Sequence, residues 1–341
     1  MMKIQNVAEL EERLSRPSDA EVSAMAALNG DLLILGVGGK MGPSLARLAR
    51  RAANQAGSRN RVIAVARFSE PSLSAELAAQ GIETIACDLL ETGALAKLPD
   101  IPNVIFMAAR KFGTAGAEHL TWAMNAYLPG LVAERYRNSR IVAFSTGNVY
   151  PLRSASQGGA DETTPAAPVG EYAQSALGRE RMFEYGSHQW RTPVTLLRLN
   201  YAIDLRYGVL LDVARTVFDR RPVDLRMPLV NIIWQGDANS WCLRSFAHCQ
   251  SPALILNVTG PETLSVREIA MEFGRLFGID PEFSGTEGPT ALLNNAARAR
   301  ALFGSPTVSP AEMIEWTAHW VQDGGVTLDK PTHFQTRDGT F

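Results

Sequence analysis

Along the chain, short runs of consecutive apolar residues alternate with stretches in which apolar residues recur every three or four positions. The first pattern marks buried strands and the second amphipathic helices. Strand-like runs fall at 32–35, 62–65, 84–86, 104–107, 141–144 and 195–199, and helix-like stretches at 71–80, 116–136 and 171–187 separate most of them. Strands alternating with helices predict right-handed βαβ crossovers, and hence an α/β fold whose doubly wound parallel sheet is covered on both faces. After about residue 200 the pattern loosens, with helical stretches at 208–219, 264–278 and 309–322 and strand candidates at 230–234 and 254–258. The expected division is a helical extension over 1–30, a sheet domain over 31–200 plus about 230–252, and a smaller C-terminal lobe over 201–229 plus about 253–341.

In the extension, Val7, Leu10 and Leu14 share a helix face that Pro17 ends. Ser18 followed by Glu21 is a capping-box pattern for a second short helix, closed at Asn29-Gly30. These helices read as a packing arm or an oligomer contact, with a homodimer left open. The tail from Lys330 to Phe341 reads as disordered or docked across a neighbour.

The first strand runs directly into Gly36-Val37-Gly38-Gly39-Lys40-Met41-Gly42, and a helix opens near Pro43. Glycines at 36, 39 and 42 fit GxxGxxG between a strand and a helix. There they permit a tight turn and let backbone amides approach a pyrophosphate at the positive helix N-terminus. The GK[ST] of a nucleoside-triphosphate loop is absent. The second strand ends Ala66-Arg67-Phe68 with no carboxylate before Glu70, which tilts the choice between NADP and NAD toward NADP, since a cation there accepts the ribose 2′-phosphate.

Composition narrows the class. The 341 residues carry 33 Lys+Arg against 35 Asp+Glu, a net charge of −2 that argues against a nucleic-acid partner. No apolar run reaches the ~20 residues of a membrane span, and the start carries no signal-peptide core, so a cytoplasmic protein is expected. Cys87, Cys242 and Cys249 show no CxxC spacing, and the five histidines no HxxxH or HxH, so neither a disulfide framework nor a metal site is expected. Trp316 and Trp320, one turn apart, read as helix packing.

Together these motifs resemble the extended short-chain dehydrogenase/reductase family, the NAD-dependent epimerase/dehydratase group, over roughly 31–325. Cys87-Asp88-Leu89 is similar to the family's strand end beside the adenine, and Val104 to Ala109, ending in Ala108-Ala109, to its hydrophobic strand along the cofactor. Asn125 matches the mid-helix asparagine. Phe144-Ser145-Thr146-Gly147-Asn148-Val149-Tyr150 resembles the active-site strand, with Thr146 in the substrate-polarising position. Asp161-Glu162-Thr163 with Pro165, Arg198-Leu199-Asn200-Tyr201, Gly236-Asp237 and Leu256-Asn257-Val258 follow in the family's order. The resemblance implies a Rossmann-type sheet domain and a substrate lobe. It implies cofactor contacts from Gly36, Gly38, Gly39, Lys40, Met41, Gly42, Arg67, Asp88, Leu89, Ala108, Ala109, Asn125, Tyr172 and Asn200. Tyr172 and Thr146 would be catalytic, and the substrate a small, carbohydrate-like molecule.

The pattern breaks at the chemistry. The family's Tyr-x-x-x-Lys reads Tyr172-Ala173-Gln174-Ser175-Ala176. Residues four apart share a helix face, so a lysine at 176 would stand beside the phenol. A phenol titrating near ~10 is a poor base at neutral pH without a cation. Arg179, Lys40 and Lys111 are the replacement cations in view, and Glu171 is either a first-turn complement to the helix dipole or a substrate contact. The leading expectation is an NAD(P)-dependent oxidoreductase or epimerase/dehydratase acting on a sugar-like hydroxyl or carbonyl. The alternatives are a non-catalytic NAD(P)-binding sensor or partner subunit, and a lyase or isomerase that uses the cofactor transiently or only structurally.

Overall fold

The computed structural model describes residues 3–339. The chain enters through α1 (Val7–Ser15) and α2 (Asp19–Ala27), the latter opened by the Ser18/Glu21 capping box. Seven strands follow in one parallel sheet: β1 (Leu32–Leu35), β2 (Val62–Ala66), β3 (Glu83–Ala86), β4 (Asn103–Phe106), β5 (Arg140–Thr146), β6 (Val194–Leu199) and β7 (Leu254–Val258). Their spatial order is β7-β6-β5-β4-β1-β2-β3. The winding reverses between β1 and β4, and ligands bind such sheets in the crevice outside the strands' carboxyl ends at that switch.

Successive strand residues point to opposite faces, so the apolar runs feed two cores. Leu32, Ile34, Val62, Ala64 and Val142 face α3 (Gly42–Gln55) and its neighbours, whereas Leu33, Leu35, Ile63, Val65 and Ile141 face the other layer. That layer holds α5 (Glu118–Trp122), α6 (Leu128–Arg135) and α7 (Gly170–Trp190), while α4 (Pro71–Ala79) joins β2 to β3. The stretch expected as one helix over 116–136 is split by a π turn, Ala123–Tyr127. Pro129 has no amide to give and its ring clashes with the carbonyl four residues back, that of Asn125, so the helix widens there.

The C-terminal lobe builds a third core from α8 (Val209–Phe218), α10 (Val266–Phe277) and α12 (Pro310–Gln322). Trp316 and Trp320 are buried in it, with Trp316 edge-on to Trp234 at 5.4 Å. Leu10 and Leu14 of α1 join this lobe, yet α1 and α2 also rest on α3. Glu11 makes the same bridge in charge, pairing with Arg47 of α3 at 2.5 Å and with Arg206 of the lobe at 2.7 Å. The arm is thus an internal strut between the two bodies.

Several expectations change. The run 254–258 belongs to the main sheet and not to the lobe: β7 pairs with β6 from Leu254↔Thr195 to Val258↔Leu199. A fully buried run reads the same in either place, and only long-range pairing distinguishes them. The 230–234 stretch is two separate two-residue strands, Leu229–Val230 paired with Leu264–Ser265 and Ile233–Trp234 with Ala202–Ile203. Finally, α9 (Gln235–Arg244) and α11 (Ala297–Phe303) lie in polar or short segments with no clear periodicity. The tail through Gly339 is docked on its own chain, and the rest of it lies outside the described residues. No described helix is long and apolar enough to cross a membrane.

Candidate functional site

The glycine loop sits at the switch point. Gly36 and Val37 hang from the Val65 carbonyl of β2 by amide hydrogen bonds of 2.9 and 3.1 Å, and Gly39 closes a turn on the Gly36 carbonyl at 3.3 Å. Gly36 is glycine for an internal reason: it has φ +93°, and a Cβ there would stand 2.5 Å from the Ala108 backbone nitrogen. Gly42 is equally confined, against the Val37 carbonyl. Gly39 is different. A Cβ there would meet only the Gly36 oxygen, at 3.7 Å, so the protein's own packing does not demand a glycine. The amides of Lys40 and Met41 make no hydrogen bond among the described residues, and α3 begins without a side-chain cap. Open space over Gly39, free amides and an uncapped helix start are what a dinucleotide pyrophosphate needs.

The other expected cofactor contacts ring the same edge of the sheet. Arg67, at the end of β2, is exposed and makes no hydrogen bond or ion pair among the described residues. Asp88 turns back to accept the amide of Leu90 at 3.0 Å, and Leu89 is buried in the sheet core. Ala108 backs the glycine loop and Ala109 is exposed. Asn125 is buried and internally committed: it accepts from the Arg110 amide at 2.9 Å, and donates to the Arg110 carbonyl at 2.8 Å and the Ser175 hydroxyl at 3.0 Å. Its role visible here is to hold the loop after β4 against α7. Asn200 likewise ties the end of β6 to Asn231 and to the Leu292 carbonyl.

Thr146 closes β5, its hydroxyl 3.2 Å from both the Asn148 amide nitrogen and the Asn148 side-chain oxygen. Tyr172 lies in the first turn of α7, largely buried. One turn on, Ala176 is fully buried in a small apolar cluster with Val149, Tyr150 and Ala160. Arg179, on the same face, reaches inward and bonds the Phe144 carbonyl at 2.8 Å and the Asn125 carbonyl oxygen at 2.9 Å, while its Nε has no hydrogen-bond partner; burial lowers its pKa, opposed by the nearby Tyr172 and Glu180. Glu171 accepts from the Trp122 indole at 2.5 Å.

Two lysines complete the site. Lys111, on the loop after β4, places its ammonium 5.9 Å from the centre of the Tyr172 ring and 5.3 Å from that of Phe112, with a hydrogen bond to the Thr332 carbonyl at 3.3 Å. Burial lowers its pKa to about 8 against a rise from Asp212. Lys40 leaves the glycine loop toward the lobe, donates to the Ala202 carbonyl at 2.7 Å and stands 4.5 Å from the centre of the Tyr207 ring. Burial brings it also to about 8, opposed by Asp204. Cations over aromatic faces are held electrostatically, and both ammonium groups remain charged for the most part at neutral pH. Sequence patterns did not point to Asp212, nor to Asn294, whose buried amide stands against Gly147 without a hydrogen-bond partner. Their signal is spatial: an orphaned polar group, or a carboxylate facing the cleft from another lobe.

The family model for the NAD dependent epimerase/dehydratase family matches residues 32–202, half of the chain. The chain belongs to this family. A search of curated proteins finds no matching sequence. Among solved structures, the family member is similar to MoeE5 in complex with UDP-glucose and NAD, with a TM-score of 0.70 at 18% identity over 86% of this chain and 99% of the other. It is similar to the UDP-glucuronic acid 4-epimerase of Bacillus cereus in complex with UDP-glucuronic acid and NAD (TM-score 0.70, 17% identity, 86% and 99% covered). A UDP-glucose 4-epimerase of Thermotoga maritima with UDP-glucose gives a TM-score of 0.70 at 14% identity, with 86% and 99% covered. At these identities the likeness establishes the shared fold, an α/β doubly wound sheet with a smaller C-terminal lobe.

Proposed function

We propose that this family member is an NAD(P)-dependent enzyme, an oxidoreductase or epimerase/dehydratase, that acts on a hydroxyl of a sugar nucleotide or similar carbohydrate. The observation that carries the reading is the Lys111 ammonium beside the Tyr172 ring, one helical turn from the buried Ala176 that the resemblance places at the family's lysine position. The dinucleotide supplies the hydride acceptor and donor when bound. Gly38, Gly39 and the free amides of Lys40 and Met41 hold its pyrophosphate, and Arg67 takes the ribose 2′-phosphate of NADP. Thr146 hydrogen-bonds the reacting oxygen, and Tyr172 accepts the hydroxyl proton and returns it. Lys111, reaching in from the loop after β4 to the Tyr172 ring, is the cation placed to meet the charge that develops there during that exchange. UDP-sugars enter as first candidates because the similar structures were solved with them.

A second reading, NAD(P) binding without turnover, is favoured by the apolar packing around Ala176. One experiment separates the two. The purified chain is incubated with NAD or NADP and with UDP-glucose, UDP-glucuronic acid and free sugars, and both nicotinamide absorbance and product NMR are followed. Product that disappears in Tyr172→Phe supports the enzyme. Tight dinucleotide binding with no product from any substrate supports the non-catalytic reading.

A further inference from the structure

After α12 the chain turns at Gly324-Gly325, passes the exposed Val326 and runs back over the rim of the crevice. Leu328 donates its amide to the Arg206 carbonyl of the lobe at 3.0 Å. Thr332, itself buried, gives both its amide and its hydroxyl to one carboxylate oxygen of Asp212 in α8, at 2.7 and 2.6 Å. The Thr332 carbonyl faces the other way and accepts from Lys111 of the sheet domain. His333 lies 6.3 Å from Phe112, ring to ring, while Phe334 is buried in the lobe's core. Arg337 holds Thr290 through its carbonyl at 2.7 Å and its hydroxyl at 2.6 Å. Gly339 then presses on Val169 and Gly170, the start of α7 and two residues before Tyr172. A Cβ at Gly339 would collide with the Val169 carbonyl, and one at Gly170 with the Gly339 carbonyl.

One segment therefore touches the lobe at Arg206, Asp212 and Thr290, and the sheet domain at Lys111, Phe112 and the start of α7. These points border the crevice at the carboxyl ends of the strands. We infer that residues 327–339 are a strap that closes this crevice and fixes Lys111 beside Tyr172 through the Thr332 carbonyl. Substrate, in the place proposed above, enters and leaves only when the strap lifts from Val169 and Gly170. The contacts suit a part that moves. On the sheet-domain side the segment meets Lys111 by a hydrogen bond, Phe112 by a ring contact, and Val169 and Gly170 by backbone packing, whereas Phe334 and Thr332 anchor it to the lobe. Thr332 is a positioning residue: it acts on the substrate only through Lys111.

The test reads the strap without needing turnover. Competitive acetylation of the native chain between about pH 6 and about pH 10 is read on the Lys111 peptide by mass spectrometry, and amide hydrogen exchange is read over 328–339. Wild type is compared with a chain ending at Val326 and with Gly339→Val, which releases the far end while leaving Thr332 in place. In wild type the amides of Leu328, Thr332, Phe334 and Thr336, all hydrogen-bonded, should exchange at least about 100-fold more slowly than in a free peptide. In the chain ending at Val326, which lacks Thr332, Lys111 acetylation should rise about tenfold or more and its pH dependence should shift; in Gly339→Val the Thr336 amide should lose its protection; NAD affinity in both should stay within about twofold of wild type. Wild-type amides exchanging at free-peptide rates, or Lys111 acetylation unchanged in the chain ending at Val326, would overturn the strap. An inactive protein with a protected strap would overturn the proposed reaction alone, and an active protein with a free tail the strap alone.

Discussion

The glycine-loop side and the Tyr172 side of the crevice, proposed for cofactor and substrate, are built by different means. The glycine loop is continuous in sequence: seven consecutive residues join a strand to a helix, and Val65 and Ala108 back the turn they make. The site around Tyr172 is assembled from a loop after β4, the start of α7, the start of α8 and the C-terminal strap, which are far apart in the chain. A local device announces itself in spacing. A device assembled over long range can move one of its charges to another element, and the spacing then records only a loss. On the proposed reading Ala176 is such a record, and Lys111, 5.9 Å from the centre of the Tyr172 ring, is the charge that takes over.

The largest effect expected on the cofactor side separates its glycines by cause. Gly36→Ala places a Cβ at φ +93° against the Ala108 backbone, so it should destabilise the fold by about 2 to 4 kcal/mol in denaturant unfolding. Gly39→Val meets only the Gly36 oxygen at 3.7 Å, so the folded state should persist while dinucleotide affinity falls about 100-fold or more by calorimetry. If Gly39→Val binds NAD normally, or Gly36→Ala folds as well as wild type, the division between packing and binding glycines is wrong.

On the substrate side, Ala176→Lys tests whether position 176 is a vacancy or a filled site. Ala176 has no exposed surface and packs with Val149, Tyr150 and Ala160, so a lysine there overpacks the cluster and buries an ammonium without a partner. A cost of about 1 to 3 kcal/mol and no gain in turnover are expected. A faster enzyme would show that the site still awaits its lysine. The smallest effect belongs to Arg67, which is exposed and makes no bond within the chain. NADP should bind more tightly than NAD, and Arg67→Asp should reverse the order by about tenfold, one charge-assisted contact in magnitude. A wild type that prefers NAD would remove Arg67 from the cofactor's contacts.

The same contrast explains what the sequence revealed. The six strands through residue 199, the glycine turn and the Ser18/Glu21 cap follow local rules, and the structure realises each. The membership of β7 in the main sheet depends on pairing with β6, which a run such as Leu254 to Val258 does not encode by itself. The π turn at Asn125 was legible in principle from Pro129, whose ring forbids a regular turn four residues back. Among the three replacement cations the sequence offered no ranking. Arg179 bonds Phe144 and Asn125 and lies within reach of the Tyr172 charge, Lys40 stands over Tyr207, and Lys111 approaches the Tyr172 ring from the loop after β4. The docking of the tail had no local signal, since Lys330 to Gly339 is polar and lacks periodicity.

The most direct test of Lys111 as the cation for Tyr172 is a pH–rate profile of wild type, Lys111→Met and Lys111→Arg with NAD(P) and a UDP-sugar that wild type converts. With burial holding Lys111 at about 8, its charge is lost as pH rises through that value, so wild-type turnover should fall on the alkaline side near there. Lys111→Met should lose about 100-fold or more of kcat at neutral pH. Lys111→Arg should keep part of the activity and carry it past the wild-type alkaline limb, because a guanidinium does not titrate in that range. A Lys111→Met enzyme with wild-type kcat, or an alkaline limb unmoved in Lys111→Arg, would contradict the account.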